Sequence, residues 1–189
     1  MMKEKKLYMI VLLAVLLLGL LAACGTPDAG ESQPQSALVR YDHPIGISLS
    51  MAEGFTVYEH DGILGSYIAE GGRVTVLFAE ELFESMENYG FDADLTLEEY
   101  AQLIADVYGV DAQPTVDSYG NVMLAYEGEA NGMEFSYFAY FHRNDSAFWM
   151  TTFTCMRDRA EELKDDFALW ASTIEIPDGP VTEPVQAEE

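Results

Sequence analysis

Three histidines and two cysteines are the residues of this 189-residue chain best suited to chemistry near neutral pH. A zinc site draws His and Cys at short spacing, as in HxxxH or CxxC. His43, His60 and His142 each stand alone, and Cys24 and Cys155 lie far apart in sequence. His43 and His60 fall at strand or turn edges and are expected in solvent; His142 adjoins a turn carrying Asp145, the one His–Asp contact the spacing offers. An exposed nucleophilic serine would announce itself as GxSxG. The nearest stretches, "GISLS" at 46–50 and "GSY" at 65–67, do not match, and there is no GxxxxGKS or GxGxxG loop for phosphates. Cys155 ends a strand-like run with no base placed beside it, so it reads as a small buried apolar side chain.

Carboxylates are too numerous, at 33, for any pair to argue for glycosidase acid and base. Calcium is the more physical cation, since it takes six to eight oxygens. Its candidates are Asp92 and Asp94 in "NYGFDADLTLEE". An EF-hand loop starting there would need glycine at position 97 and glutamate at 103, where the chain has Leu97 and Leu103. The two aspartates are better explained as solvating a loop and favouring the positive N-terminus of the helix that follows. The residues therefore predict no catalytic group, no metal, no cofactor and no enzyme.

The formal net charge is −24, with 9 Lys+Arg against 33 Asp+Glu. Such a field repels nucleic acid and attracts cations and basic partners, so nucleic acid is set aside as a ligand.

Part of the basic charge sits at the very start: Lys3, Lys5 and Lys6, followed by an uncharged run from Leu7 to Ala23. A basic start, an apolar run and small residues at its end form the layout of an export signal. The run closes as "LLLGLLAACG", and Leu21-Ala22-Ala23-Cys24 resembles the lipobox of bacterial lipoproteins. That resemblance implies cleavage before Cys24, a lipid on its thiol, and a place on the extracytoplasmic face of a bacterial membrane. Two acyl chains hold such an anchor where one is marginal, at about 0.8 kcal/mol per buried methylene. The expected organisation is a signal over 1–23, a flexible linker over 24–39 broken by Pro27 and Pro34, one domain over 40–176, and a Pro-rich acidic tail over 177–189.

The elements that would position any site are legible as runs between turn signals. Asp61-Gly62, Gly71-Gly72, Gly120-Asn121, Asn131-Gly132 and Asn144-Asp145 tolerate the positive φ of tight hairpins. Between them the composition predicts strands over Ile45–Ser50, Phe55–Glu59, Ile63–Glu70, Arg73–Ala79, Val122–Glu129, Met133–Arg143 and Ala147–Thr154. Strands joined so tightly are antiparallel. One helix follows from "TLEEYAQLIADVYG": Thr96 and Glu99 form a capping box, Leu95 staples onto Tyr100, and Leu97, Tyr100, Ala101, Ile104, Val107 and Tyr108 line one face before Gly109. A second follows from "DRAEELKDDFALWAST", with Asp158 and Glu161 as its box and Ala160, Leu163, Phe167, Trp170 and Ala171 as its apolar face. The fold class is α+β: an antiparallel meander sheet of about 6–8 strands packed with two main helices.

Both faces of the Met133–Arg143 strand carry large aromatics, so both faces of the sheet are covered. Two candidate surfaces remain. "EELFESMENYGFDAD" mixes Leu82, Phe83, Met86, Tyr89 and Phe91 with acids and reads as a partner surface; the competing reading is a short helix over Glu80–Asn88 lidding the sheet. Tyr137, Phe138, Tyr140 and Trp149 are candidates for an aromatic-lined small-ligand pocket. The element order, "ISLSMAEGFTV", the "TLEEYAQLI" helix and a closing helix followed by "IEI" resemble the PsbP-like α/β/α sandwich, which also occurs in bacterial lipoproteins. The resemblance covers about residues 40–176, implies a non-enzymatic accessory or protein-binding role in the envelope, and carries over no functional residue.

Overall fold

The computed structural model describes residues 38–60 and 62–182. The signal, Cys24, most of the linker, Asp61 and the last residues of the tail lie outside them.

Nine strands and three helices run in the order β1 (Val39–Asp42), β2 (Ser48–Met51), β3 (Thr56–Val57), β4 (Gly65–Ala69), β5 (Val74–Leu82), α1 (Phe83–Asn88), α2 (Leu97–Tyr108), β6 (Thr115–Val116), β7 (Val122–Ala130), β8 (Met133–Arg143), β9 (Ala147–Met156) and α3 (Ala160–Ala171). Strands β3 to β9 form one antiparallel sheet in the order β3-β4-β5-β9-β8-β7-β6, and β1 pairs with β2 apart from it. Two meanders, β3–β5 and β6–β9, are thus joined side by side through a nine-residue pairing of β5 with β9, from Val74↔Cys155 to Leu82↔Ala147. The expected α+β class and antiparallel sheet are present. The separate two-stranded sheet is an addition.

The turn chemistry works as its residues require. At the β7–β8 hairpin Asn131 (φ 52°) and Gly132 (φ 75°) both adopt positive φ, the geometry of a two-residue turn matched to strand twist. At β8–β9 the Asn144 carboxamide oxygen accepts from the backbone N–H groups of Ser146 and Ala147, both at 2.8 Å.

Alternation along the strands sends one set of side chains to each face. Val76, Phe78, Phe138, Tyr140, Trp149 and Phe153 face the layer made by α3 and β2, where they meet Leu49, Met51, Leu163, Phe167 and Trp170. Phe167 stacks on Phe153 at 5.2 Å between ring centroids and meets Phe138 edge-on at 5.5 Å. On the other face Leu124, Ala139, Phe141 and Phe148 meet Met86 of α1 and Tyr100, Ala101 and Ile104 of α2. Tyr100 lies flat on Phe148 at 4.1 Å. Both faces are covered, as the aromatic pattern of β8 requires.

The Thr96–Glu99 capping box is formed: Thr96 Oγ1 accepts from Glu99 N–H at 3.2 Å and the Glu99 carboxylate accepts from Thr96 N–H at 2.9 Å. Gly109 closes α2 at φ 66°. The second expected box does not form. A 3₁₀ turn at Arg157–Arg159 leads into α3, whose N-cap is Arg159 with no side-chain capping bond. Glu161 instead accepts from Lys164 Nζ at 2.6 Å.

Ordered contacts continue past Ile176. Ser48 bridges Glu175, Asn144 Nδ2 donates to the Pro177 carbonyl at 2.8 Å, and the Glu80 carboxylate accepts from Val181 N–H at 3.1 Å and Thr182 N–H at 2.8 Å. Residues 177–182 are therefore strapped back onto the sheet, where composition suggested free tail. The physical reason is the carboxylate at Glu80, which satisfies two successive backbone donors.

Candidate functional site

The sequence-derived candidates scatter. Leu82 joins the core on the α3 face, while Met86, 1% exposed, and the half-buried Phe83 and Phe91 join the core on the other face. The competing reading of a lid holds over Phe83–Asn88 alone, since Glu80–Leu82 still belong to β5, and Tyr89 is half-buried at the end of α1. The four aromatics do not line one pocket either. Phe138, Tyr140 and Trp149 fill the core on the α3 face. Tyr137 belongs to the opposite face, in a small cluster with Phe135 and Ala130, where it stacks on Tyr126 at 5.0 Å. Its ring lies over Gly128, where a Cβ would come within 3.1 Å of it. Asp92 caps its own loop, its Oδ1 accepting from Asp94 N–H at 2.8 Å. Among the described residues no three His, Cys, Asp or Glu side chains are placed to hold a metal ion.

Cys155 is fully buried, and burial pushes its thiol up to about 11, against a smaller pull from Arg159. It is packing, as read. His142 does not meet Asp145: burial alone pushes its imidazole down to about 4 with no carboxylate opposing, and its Nε2 has no hydrogen-bond partner. His43 corrects the expectation of a solvated side chain, being only 8% exposed. The β1–β2 turn folds it onto the sheet, edge-on to Tyr67 at 5.2 Å and to Phe78 at 5.5 Å. Its Nδ1 accepts from Ile45 N–H at 3.3 Å. Burial lowers its pKa; the Ser66 backbone and the Glu59 charge oppose this more weakly, the former without a hydrogen bond to Nε2.

His43 also borders a cleft of about 630 Å³, which opens between the β1–β2 turn and the β3–β4 connection. Pro44, Ile45, Val57, Ile63 and Leu64 give it apolar walls, and His43, Tyr58, Glu59 and His60 give it polar ones. Its size lies within the range of small-molecule sites. Tyr58 and His60 stack at 6.3 Å. Gly65 sets the floor: a Cβ there would stand 2.6 Å from His43 Cε1 and 2.8 Å from Ile45 Cδ1. The glycine is what lets the turn lie against the sheet. No sequence signal marked this cleft, because its walls come from three short segments that only the fold brings together.

Among the described residues no helix is long and apolar enough to cross a membrane. No family model and no curated protein matches the chain. Solved structures similar to it in fold include the cyanobacterial PsbP (CyanoP) of Synechocystis, at 13% identity and TM-score 0.45, covering 81% of this chain and 100% of that one. A Bacteroides thetaiotaomicron protein matches at 10% identity and TM-score 0.47, over 73% of this chain and about half (48%) of its own length. LpqN of Mycobacterium tuberculosis, described as involved in cell envelope biogenesis, matches at 12% identity and TM-score 0.43, over 74% of this chain and 89% of that one. Each is a likeness of fold.

Proposed function

We propose that the chain is an extracytoplasmic module, anchored by a lipid on Cys24, that works by binding and not by catalysis. The observation that carries the reading is the N-terminal layout: Lys3, Lys5 and Lys6, the uncharged Leu7–Ala23 run, then Leu21-Ala22-Ala23-Cys24 ahead of a polar linker. A coil of some 15 residues spans about 20 Å, enough to hold the domain clear of the bilayer while keeping it concentrated near membrane partners. Burial supports binding over catalysis, because it holds the Cys155 thiol protonated and the His142 imidazole neutral and enclosed. The partner is a protein of the envelope, met through the open cleft beside β3. Small-ligand binding is the second reading, favoured by the size of that cleft.

Palmitate labelling of the full chain in a bacterial host tests the anchor. The parent should take up label and sediment with membranes, and Cys24→Ala should do neither. Equal labelling of the two would overturn the reading.

A further inference from the structure

We infer that the cleft beside β3 receives a cationic group carried on an apolar stem, as an alkylamine or an arginine side chain presents; this rests on the binding-module reading and names its ligand chemistry.

The charge of the walls points one way. Among the described residues Glu59 is the carboxylate lining the cleft, and no lysine or arginine lines it. The exposed Glu59 carboxylate lies near enough for its charge to act on the imidazole of His43, more weakly than burial does. His43 does not offset it, because burial favours the neutral imidazole. The whole chain, at net −24, adds an attractive field for any cation. A bare metal ion has no partner here, since the described side chains bring no three ligands together.

The rest of the lining calls for more than charge. Ile45, Val57, Ile63 and Leu64 would desolvate an aliphatic stem, and Val57 is 43% exposed. The stacked Tyr58 and His60 rings offer the aromatic face on which ammonium and guanidinium groups settle. Depth comes from Gly65, whose missing Cβ lets His43 and Ile45 sit down on the strand.

The test is calorimetric titration of the full chain in neutral detergent with acetyl-Leu-Arg-amide and with its uncharged isostere acetyl-Leu-citrulline-amide. The arginine peptide should bind, with the citrulline peptide about tenfold weaker or worse. Glu59→Gln should weaken the arginine peptide by a similar factor while melting like the parent. Glu98→Gln removes an equally exposed acid from α2 on the opposite face and should change nothing. An absence of binding, equal binding of the two peptides, or equal losses in both variants would overturn the inference, the last by showing attraction to the acidic surface at large. To separate the sources of the cation, hexylammonium is titrated alongside: binding matching the arginine peptide points to a free amine, and weaker binding to a protein side chain. Failure here removes only the ligand class, because palmitate labelling judges the anchored module independently.

Discussion

Gly65→Ala is a sharp test of how the β1–β2 turn is seated. The backbone at Gly65 is not in the left-handed region, so alanine meets no conformational barrier, and loss of chain entropy in the unfolded state would by itself favour it by about 0.4–1 kcal/mol. Against that, the new methyl would stand 2.6 Å from His43 Cε1 and 2.8 Å from Ile45 Cδ1, well inside contact distance. The closer neighbour cannot swing away, because the His43 ring is buried against Tyr67 and Phe78. Relief requires the turn to lift, which loosens those ring contacts. Overpacking of this kind costs about 1–3 kcal/mol, so the net expectation is a loss of about 1–2 kcal/mol in urea unfolding at pH 7. The cause is separable. Ile45→Val deletes the offending Cδ1, and His43→Ala deletes the ring; in the double-mutant cycles both should couple to Gly65→Ala by at least about 0.5 kcal/mol. A Gly65→Ala protein as stable as the parent, or single losses that simply add, would refute the seating.

Glu81 supplies a pH signature. Burial raises its carboxyl to about 7, so the folded state holds a proton that the unfolded state has released. Its contribution turns unfavourable as pH rises from about 4.5 through 7, reaching at most about 3 kcal/mol; Glu81→Gln should be more stable than the parent at pH 8 and little changed at pH 4.5, by denaturant unfolding at both. His142, lowered to about 4 by burial, acts in the opposite direction: stability is lost as pH falls from about 6.5 toward 4, and His142→Gln should flatten that acid limb. Phe167→Ala removes a fully buried ring stacked on Phe153 and should cost about 3–5 kcal/mol in the same assay. Thr96→Ala breaks one half of the formed capping box and should cost about 1 kcal/mol.

What could be read from the sequence was whatever is decided locally. The strand Met133–Arg143, the Thr96–Glu99 box, Gly109 as the helix stop and the buried Leu163–Phe167–Trp170 stripe follow from periodicity and cap chemistry over a few residues. The Asp158–Glu161 box has the same local pattern and fails, because a 3₁₀ turn at Arg157–Arg159 takes over the helix entry and Arg159 pairs instead with Glu162 and Glu70. The β5–β9 pairing and the strap at Glu80 join residues about 65–100 apart in the chain, with Val181 hydrogen-bonded to Glu80 and Val74 opposite Cys155, and the seat of His43 joins it to Tyr67 and Phe78, about 25–35 residues on. No short-range pattern encodes such contacts. The cleft belongs to this second class: the aromatic residues that looked like a pocket in sequence pack inside, and the cleft is lined instead by three short runs, His43–Ile45, Val57–His60 and Ile63–Gly65.

The small sheet at the start of the domain has a mechanical meaning. A pull arriving from the N-terminal side enters at Val39, which is paired opposite Met51 at the open end of the β1–β2 hairpin. Load on that end parts rungs one after another instead of shearing them together. The second rung is reinforced: Arg40 reaches Asp42 at 3.0 Å and Glu175 at 2.8 Å, tying β1 to the chain that follows α3. Once that clasp slips, β1 releases four residues, about 13 Å of extra reach, and the load passes next to Tyr41, which packs edge-on against Tyr67 of β4 at 5.5 Å. The β1–β2 turn that such a pull reaches next carries His43, Pro44 and Ile45, so tension on the N-terminal side would be felt at the wall of the cleft.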